Sequence, residues 1–149
     1  MLGFGDKATE LFRMINPIEH SKTKEAAQKY KVEPYVIAAD IYGHENLAGR
    51  GGWTWYTGSS SWMLRAGIEY ILGLRIENNV LRIEPCLASW WKEYNIRYQY
   101  GNSIYNIKVK NLNNKNTGVE KFILNGNEIE DKKIRLQDDG KVYDIEIMM

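Results

Sequence analysis

Up to about residue 76 the apolar positions recur at the three- and four-residue spacing of helices, and beyond it they alternate as strands do. Residues 6–15 bring Leu11, Met14 and Ile15 to helical spacing, and Asn16-Pro17 ends that pattern because a residue before proline is driven out of the α region. Ser21 or Thr23 can cap a second short helix reaching about Tyr30, with Glu25 in its first turn and a thin stripe of Ala26, Ala27 and Tyr30. Residues 32–42 form a nearly continuous apolar run bounded by Pro34 and Gly43. Periodicity leaves a buried extended segment and a helix both open there. A loop over 43–52 follows, with four glycines. Residues 59–74 give the strongest helical pattern: Trp62, Ala66, Tyr70 and Leu74 lie four apart, with Met63, Gly67 and Ile71 in the adjacent row. Three helices of this kind close no bundle, so the surplus apolar surface points to packing partners outside the chain.

From Val80 onward the spacing becomes two. Val80 and Arg82 fall on one face and Leu81 and Ile83 on the other. Tyr94, Ile96, Tyr98 and Tyr100 share a face, and Gly101-Asn102 turns the chain into a second strand through Ile104, Tyr105, Ile107 and Val109. Further strands are expected over 119–124, 128–129, 134–136 and 142–147, separated by Asn125-Gly126-Asn127 and Asp138-Asp139-Gly140. The expected class is α+β, with helices in residues 1–76 and an antiparallel β-sandwich in 77–149.

Composition narrows the picture by exclusion. Among 149 residues, 20 Lys and Arg stand against 19 Asp and Glu, and no basic run marks a nucleic-acid footprint. No stretch approaches the roughly 20 apolar residues of a membrane span, and residues 1–6 lack the pattern of a signal peptide. Cytoplasmic residence is the expectation. The lone Cys86 is expected as a buried thiol, and no metal-binding spacing occurs. The distinctive bulk feature is 5 Trp and 10 Tyr, residues whose apolar faces and polar tips suit both cores and sugar rings.

Residues 48–62 (AGRGGWTWYTGSSSW) concentrate candidate chemistry. Thr57-Gly58-Ser59 stands at the start of the helix expected over 59–74, whose first N–H groups and dipole favour an anion. Gly58 would admit an oxyanion to the backbone, and the Thr57 and Ser59 hydroxyls can donate. Trp53, Trp55, Tyr56 and Trp62 can wall a pocket beside it. The same residues also serve as ordinary caps and core aromatics, and local chemistry alone leaves that choice open.

The stretches NPIEH (16–20), YKVEPYVIAADIY (30–42), AGRGGWTWYTGSSSWM (48–63) and GIEYILGLR (67–75) resemble glycoside hydrolase family 94. IEPC (83–86) and Trp90-Trp91 resemble the start of that family's C-terminal β domain. The family holds disaccharide phosphorylases of the cellobiose and chitobiose type and the phosphorylase-like region of cyclic β-1,2-glucan synthases. The resemblance implies the last helices of an (α/α)6 barrel followed by a β-sandwich. It implies phosphate held in part by Thr57 and Gly58, with Arg50, Trp55 and Ser59 as further candidate contacts.

It further implies inverting phosphorolysis of β-linked gluco-oligosaccharides, with phosphate or glucose 1-phosphate as co-substrate and no cofactor. An aspartic acid would protonate the leaving oxygen while phosphate attacks. That acid and the family's phosphate-binding Arg and His lie upstream of the matched segments. No catalytic residue is therefore assigned here, and the chain alone is expected to be silent. Glu33 and Asp40 are read as structural hydrogen-bond partners, and His20 and His44 as a helix-end and a loop residue. The expected partners are the rest of the barrel and a possible second copy, with membrane attachment only in a cyclic glucan synthase. The alternative function is a non-catalytic carbohydrate-binding or complementing fragment, drawing on Trp90, Trp91 and Tyr94.

Overall fold

Tyr94, Ile96, Tyr98 and Tyr100 alternate with polar residues because they line the inner face of an eight-residue strand. That strand pairs antiparallel with its neighbour from Glu93↔Lys110 to Tyr100↔Ser103. A computed structural model describes residues 2–55 and 58–149, which divide into two units, one of residues 2–9 with 68–149 and one within residues 10–67. The elements in chain order are α1 (Gly5–Ile15), a 3-10 turn (Glu19–Ser21), α2 (Lys24–Tyr30), β1 (Asp40–Ile41), β2 (Gly51–Gly52), α3 (Ser59–Arg65) and a π-helical turn (Ala66–Ile71). Eight strands follow: β3 (Leu74–Glu77), β4 (Val80–Ile83), β5 (Glu93–Tyr100), β6 (Ser103–Lys110), β7 (Lys121–Leu124), β8 (Asn127–Glu128), β9 (Lys133–Arg135) and β10 (Val142–Met148).

The first unit holds a five-stranded sheet, β5-β6-β10-β7-β8, and a three-stranded sheet, β3-β4-β9. Their arrangement is consistent with a sandwich-type domain. The expected antiparallel pattern needs one correction, because β6 and β10 run parallel from Ile104↔Val142 to Lys110↔Met148. The inner face is built by register. Tyr105, Ile107 and Val109 stand beside Tyr143, Ile145 and Ile147, and Ile147 stands beside Phe122. Leu81, Ile83, Val109, Phe122 and Ile147 are at most 2% exposed. Burying each such side chain contributes roughly 1.5–3 kcal/mol, enough for this face to fix strand register.

Several buried or half-buried polar groups in this unit are satisfied in pairs. Tyr105 Oη accepts from Gln137 N (2.6 Å) and donates to Gln137 O (3.1 Å), and its ring stacks on Tyr143 at 4.8 Å. Tyr94 Oη donates to Leu72 O at 2.5 Å, and burial pushes that phenol far above its ordinary pKa. Ser103 Oγ donates to Asp139 Oδ1 (3.1 Å) while accepting from the Asp139 and Gly140 amides. Asp139 also takes Lys141 Nζ (2.7 Å) and the Tyr143 hydroxyl (2.9 Å). These donors, Lys141 foremost, hold its carboxyl well below the usual range.

The second unit carries the short helices. Thr23 caps α2 by accepting from the Ala26 amide at 3.1 Å, and Lys31 ends it in the left-handed region. The helix expected over 59–74 is shorter than its pattern. The α-hydrogen bonding stops at Arg65, a π turn runs to Ile71, and residue 74 already belongs to β3. Gly73 makes the break. It sits at φ +74°, and a Cβ there would lie 2.2 Å from the Glu84 carbonyl carbon, because Gly73 O accepts the Glu84 amide at 2.8 Å. The four-residue apolar spacing continues past the break, since the first residue of β3 happens to fall in register with it. The apolar run over 32–42 is neither buried strand nor helix: Val36 is buried, Tyr35 is 73% exposed, and only Asp40–Ile41 is strand. Cys86 is buried, and burial raises its thiol pKa.

Gly73→Ala forces a left-handed alanine against backbone, and a loss of about 3 kcal/mol is expected in urea unfolding. Full retention of stability would contradict the break. Asp139 is depressed in the folded state, so its contribution is present above the unfolded carboxylate pKa near 3.8 and is lost as pH falls through the lower folded value. Asp139→Asn is expected to flatten the fall in stability below about pH 4, read from unfolding midpoints across pH.

Candidate functional site

In the glycine-rich segment the fold lays two backbones together. Asp40 and Ile41 pair with Gly52 and Gly51. Outside that ladder Ala39 N donates to Trp53 O (3.0 Å), Tyr42 N to Arg50 O (2.9 Å) and Gly49 N to Tyr42 O (2.9 Å). Gly51 and Gly52 are buried because aromatic rings cover them. A Cβ on Gly51 would come within 2.4 Å of Val32 Cγ2 and 3.0 Å of Tyr30 Cε2, and one on Gly52 within 2.8 Å of the Tyr42 ring. Two glycines in sequence are thus a packing requirement.

Beyond the glycines the backbone is strained. Trp53 and Trp55 adopt φ +41° and +71°, a region costing a bulky side chain about 1–2 kcal/mol. Such strain gathers at ligand sites. Both indoles are exposed, at 70% and 67%. Trp55 is oriented by two neighbours: its Nε1 donates to Glu33 Oε1 at 3.3 Å, and Tyr35 meets its ring edge-on at 6.2 Å. Glu33, Lys31, Tyr42, Arg50, Trp53 and Thr54 line an open cleft of about 620 Å³.

The structure thus brings Arg50 and Glu33 to one cleft and ties Trp55 to it through Glu33. Thr57 lies outside the described residues. Gly58 precedes α3 with φ −76° and ψ −5° and no side-chain cap, and Ser59 opens the helix. Neither lines the cleft. A Cβ on Gly58 would meet nothing within 4 Å. Glu33 is the hydrogen-bond partner the sequence suggested, though its donor is a tryptophan of the candidate loop. Asp40 is an exposed strand residue. His20 donates to Met14 O at 2.6 Å and stacks on Tyr30, and His44 accepts from the Asn46 amide. Lys31 and Thr54 were not singled out by sequence. The Gly51-Gly52 pair was the available signal, since adjacent buried glycines mark a close backbone approach.

The model of the glycosyl hydrolase 94 superfamily, catalytic domain, matches residues 1–73. Across that span the chain belongs to the glycosyl hydrolase 94 superfamily. The chain is 49% identical over 104 residues to cyclic beta-(1,2)-glucan synthase NdvB of Rhizobium meliloti (strain 1021), covering 70% of this chain and 4% of that protein. It is 29% identical to N,N'-diacetylchitobiose phosphorylase of Vibrio furnissii over 87% of this chain and 16% of that protein. It is 28% identical to solabiose phosphorylase of Paenibacillus borealis over 99% of this chain and 19% of that protein. The chain therefore spans from 4% to 19% of the length of these curated relatives. No helix among the described residues is long and apolar enough to cross a membrane.

The glycines divide into two kinds, and substitution separates them. Gly51→Ala is expected to cost about 1–3 kcal/mol by overpacking against Val32 and Tyr30. Gly58→Ala, in an ordinary backbone region and open space, is expected to be neutral or stabilising by up to ~1 kcal/mol. Thermal unfolding of both variants checks this, and equal losses would refute the division.

Proposed function

We propose that this chain is the C-terminal part of an inverting glycosyl phosphorylase or glucan-processing enzyme. In this reading it acts on β-linked gluco-oligosaccharides with phosphate or glucose 1-phosphate and needs no cofactor. The observation that carries the reading is the catalytic-domain match over residues 1–73, together with two relatives named as phosphorylases. Thr57 and Gly58 hold part of the phosphate. Support for Gly58 is by elimination: neither backbone conformation nor packing asks for a glycine there, while an anion approaching the amide would.

The chemistry follows from what phosphate is. An anionic nucleophile needs no general base, so the protein must hold it in line with the anomeric carbon and spread its charge over fixed donors. A carboxylic acid must then protonate the leaving glycosidic oxygen as the oxocarbenium-like transition state forms. That acid, and the Arg and His completing the phosphate site, are supplied from the remainder of an (α/α)6 barrel preceding this segment. Alone, the chain is inactive. The exposed side chains Leu11, Met14, Ile15 and Ile18 on and after α1, and Trp62 and Leu64 on α3, are the barrel-facing positions of this reading. The assembled enzyme is cytoplasmic, with membrane association only as part of a cyclic glucan synthase.

The non-catalytic reading draws on Trp90 and Trp91, exposed at 54% and 36%. It loses Tyr94, whose hydroxyl is committed to Leu72 O. Titration of the chain with inorganic phosphate, followed by backbone amide resonances, decides between the readings. Shifts centred on Gly58 and Ser59, weakened about tenfold by Gly58→Val, are expected, with no phosphorolysis of cellobiose by the chain alone. Unmoved Gly58 and Ser59 amides would overturn the phosphate assignment, and turnover by the isolated chain would overturn its inactivity.

A further inference from the structure

We propose that the cleft lined by Glu33, Arg50 and Trp53 is a sugar-ring subsite, with Trp55 as a stacking face that Glu33 holds in place. The assignment rests on the carbohydrate reading above but on different atoms, since neither Gly58 nor Ser59 lines this cleft.

Three observations converge. The open cleft offers about 620 Å³, within the range of small-molecule sites. Its polar groups are of complementary kinds. Arg50 presents a fork of N–H donors and makes no ion pair among the described residues. Glu33 gives one oxygen to the Trp55 indole and keeps the other for a hydroxyl. Its aromatic groups are flat and exposed: Trp53 and Trp55 stand at positive φ, the Trp53 carbonyl accepts the Ala39 amide, and the Trp55 indole is held at Nε1 and by a T-shaped contact with Tyr35.

The ligand class follows from that set. A free carboxylate oxygen repels phosphate and carboxylates, which argues against a simple anion despite Lys31 and Arg50. Adjacent hydroxyls can accept from a guanidinium fork and donate to a carboxylate, and the C–H face of a pyranose covers an indole. A neutral polyhydroxylated ring satisfies all three groups together. Glu33 is thus a positioning residue for Trp55 as well as a direct acceptor.

The test uses the full 149-residue chain with nitrogen-15 labelling, which gives one indole N–H resonance for each of its 5 tryptophans. Trp53→Phe and Trp55→Phe assign the two signals. A β-1,2-linked glucose disaccharide is expected to shift both, and Glu33→Gln and Arg50→Gln are each expected to weaken that binding about tenfold. Glu33→Gln keeps an oxygen acceptor for the indole, and the amide spectrum of β5 and β6 checks folding. If Arg50→Gln misfolds, Arg50→Lys keeps the charge without the fork and carries the same expectation. Disaccharide binding that leaves both indole signals unmoved, or that survives both substitutions, overturns the subsite. Inorganic phosphate titrated separately keeps the two proposals apart. A sugar response without a phosphate response at Gly58 supports the cleft and removes the phosphate assignment, and a phosphate response without a sugar response does the reverse.

Discussion

The close approach of two backbones at Gly51 and Gly52 is the constraint on which the candidate site depends. The Tyr30, Val32 and Tyr42 side chains occupy the space where Cβ atoms would stand. Only with both positions bare can residues 39–42 bond to residues 49–53 along their length. That ladder fixes where the chain leaves Gly52, and the next residues emerge at positive φ with their indoles outward. Glu33 and Tyr35, on the segment preceding β1, then close on Trp55. The cleft is therefore a by-product of glycine packing. Its chemistry comes from side chains that the ladder cannot avoid presenting.

The β-rich unit rests on a different principle. Its inner face is chosen by period-two alternation, and its register is held by the penalty for turning that face to water. Two aspartates at adjacent positions serve the periphery. Asp138 accepts the Asn102 amide at 2.7 Å, and Asp139 gathers Ser103, Lys141 and Tyr143. The β5–β6 turn is thereby tied to the start of β10, which lies parallel to β6 and so cannot reach it through a short hairpin. The side-chain network supplies locally the closure that topology withholds.

This division explains what the sequence showed and what it concealed. Alternation made the β5–β6 hairpin and the buried row Leu81 and Ile83 legible, because face and period are local properties. The parallel pairing of β6 with β10 is not local; it depends on which strand reaches a shared neighbour, and residues 142–147 read the same either way. The short β3 was hidden because Leu74 continues the spacing of Trp62, Ala66 and Tyr70. The helix loosens into a π turn after Arg65 and ends at the left-handed backbone of Gly73, and a single glycine reads ambiguously. At the site, Arg50 and Trp55 were visible through their glycine and aromatic surroundings. The Glu33–Trp55 bond spans 22 residues of chain and carries no period.

The helical segments carry one tension to resolution. Leu11, Met14, Ile15 and Ile18 are 48–61% exposed, and Trp62 and Leu64 are exposed at 66% and 63%. A free-standing domain of 149 residues has enough core to bury a larger share of its big side chains. The β-rich unit does so, with Leu81, Val109, Phe122 and Ile147 all at 0%. One chain thus holds a finished core and an unfinished apolar surface. The unfinished part falls within residues 1–73, where the catalytic-domain match lies. Under the proposed reading these are interior positions of a larger helical domain, which accounts for why hydrophobic spacing was strong where burial is weak. The glycine ladder stays closed without that domain because its packing partners, Tyr30, Val32 and Tyr42, all lie within the same short stretch of chain.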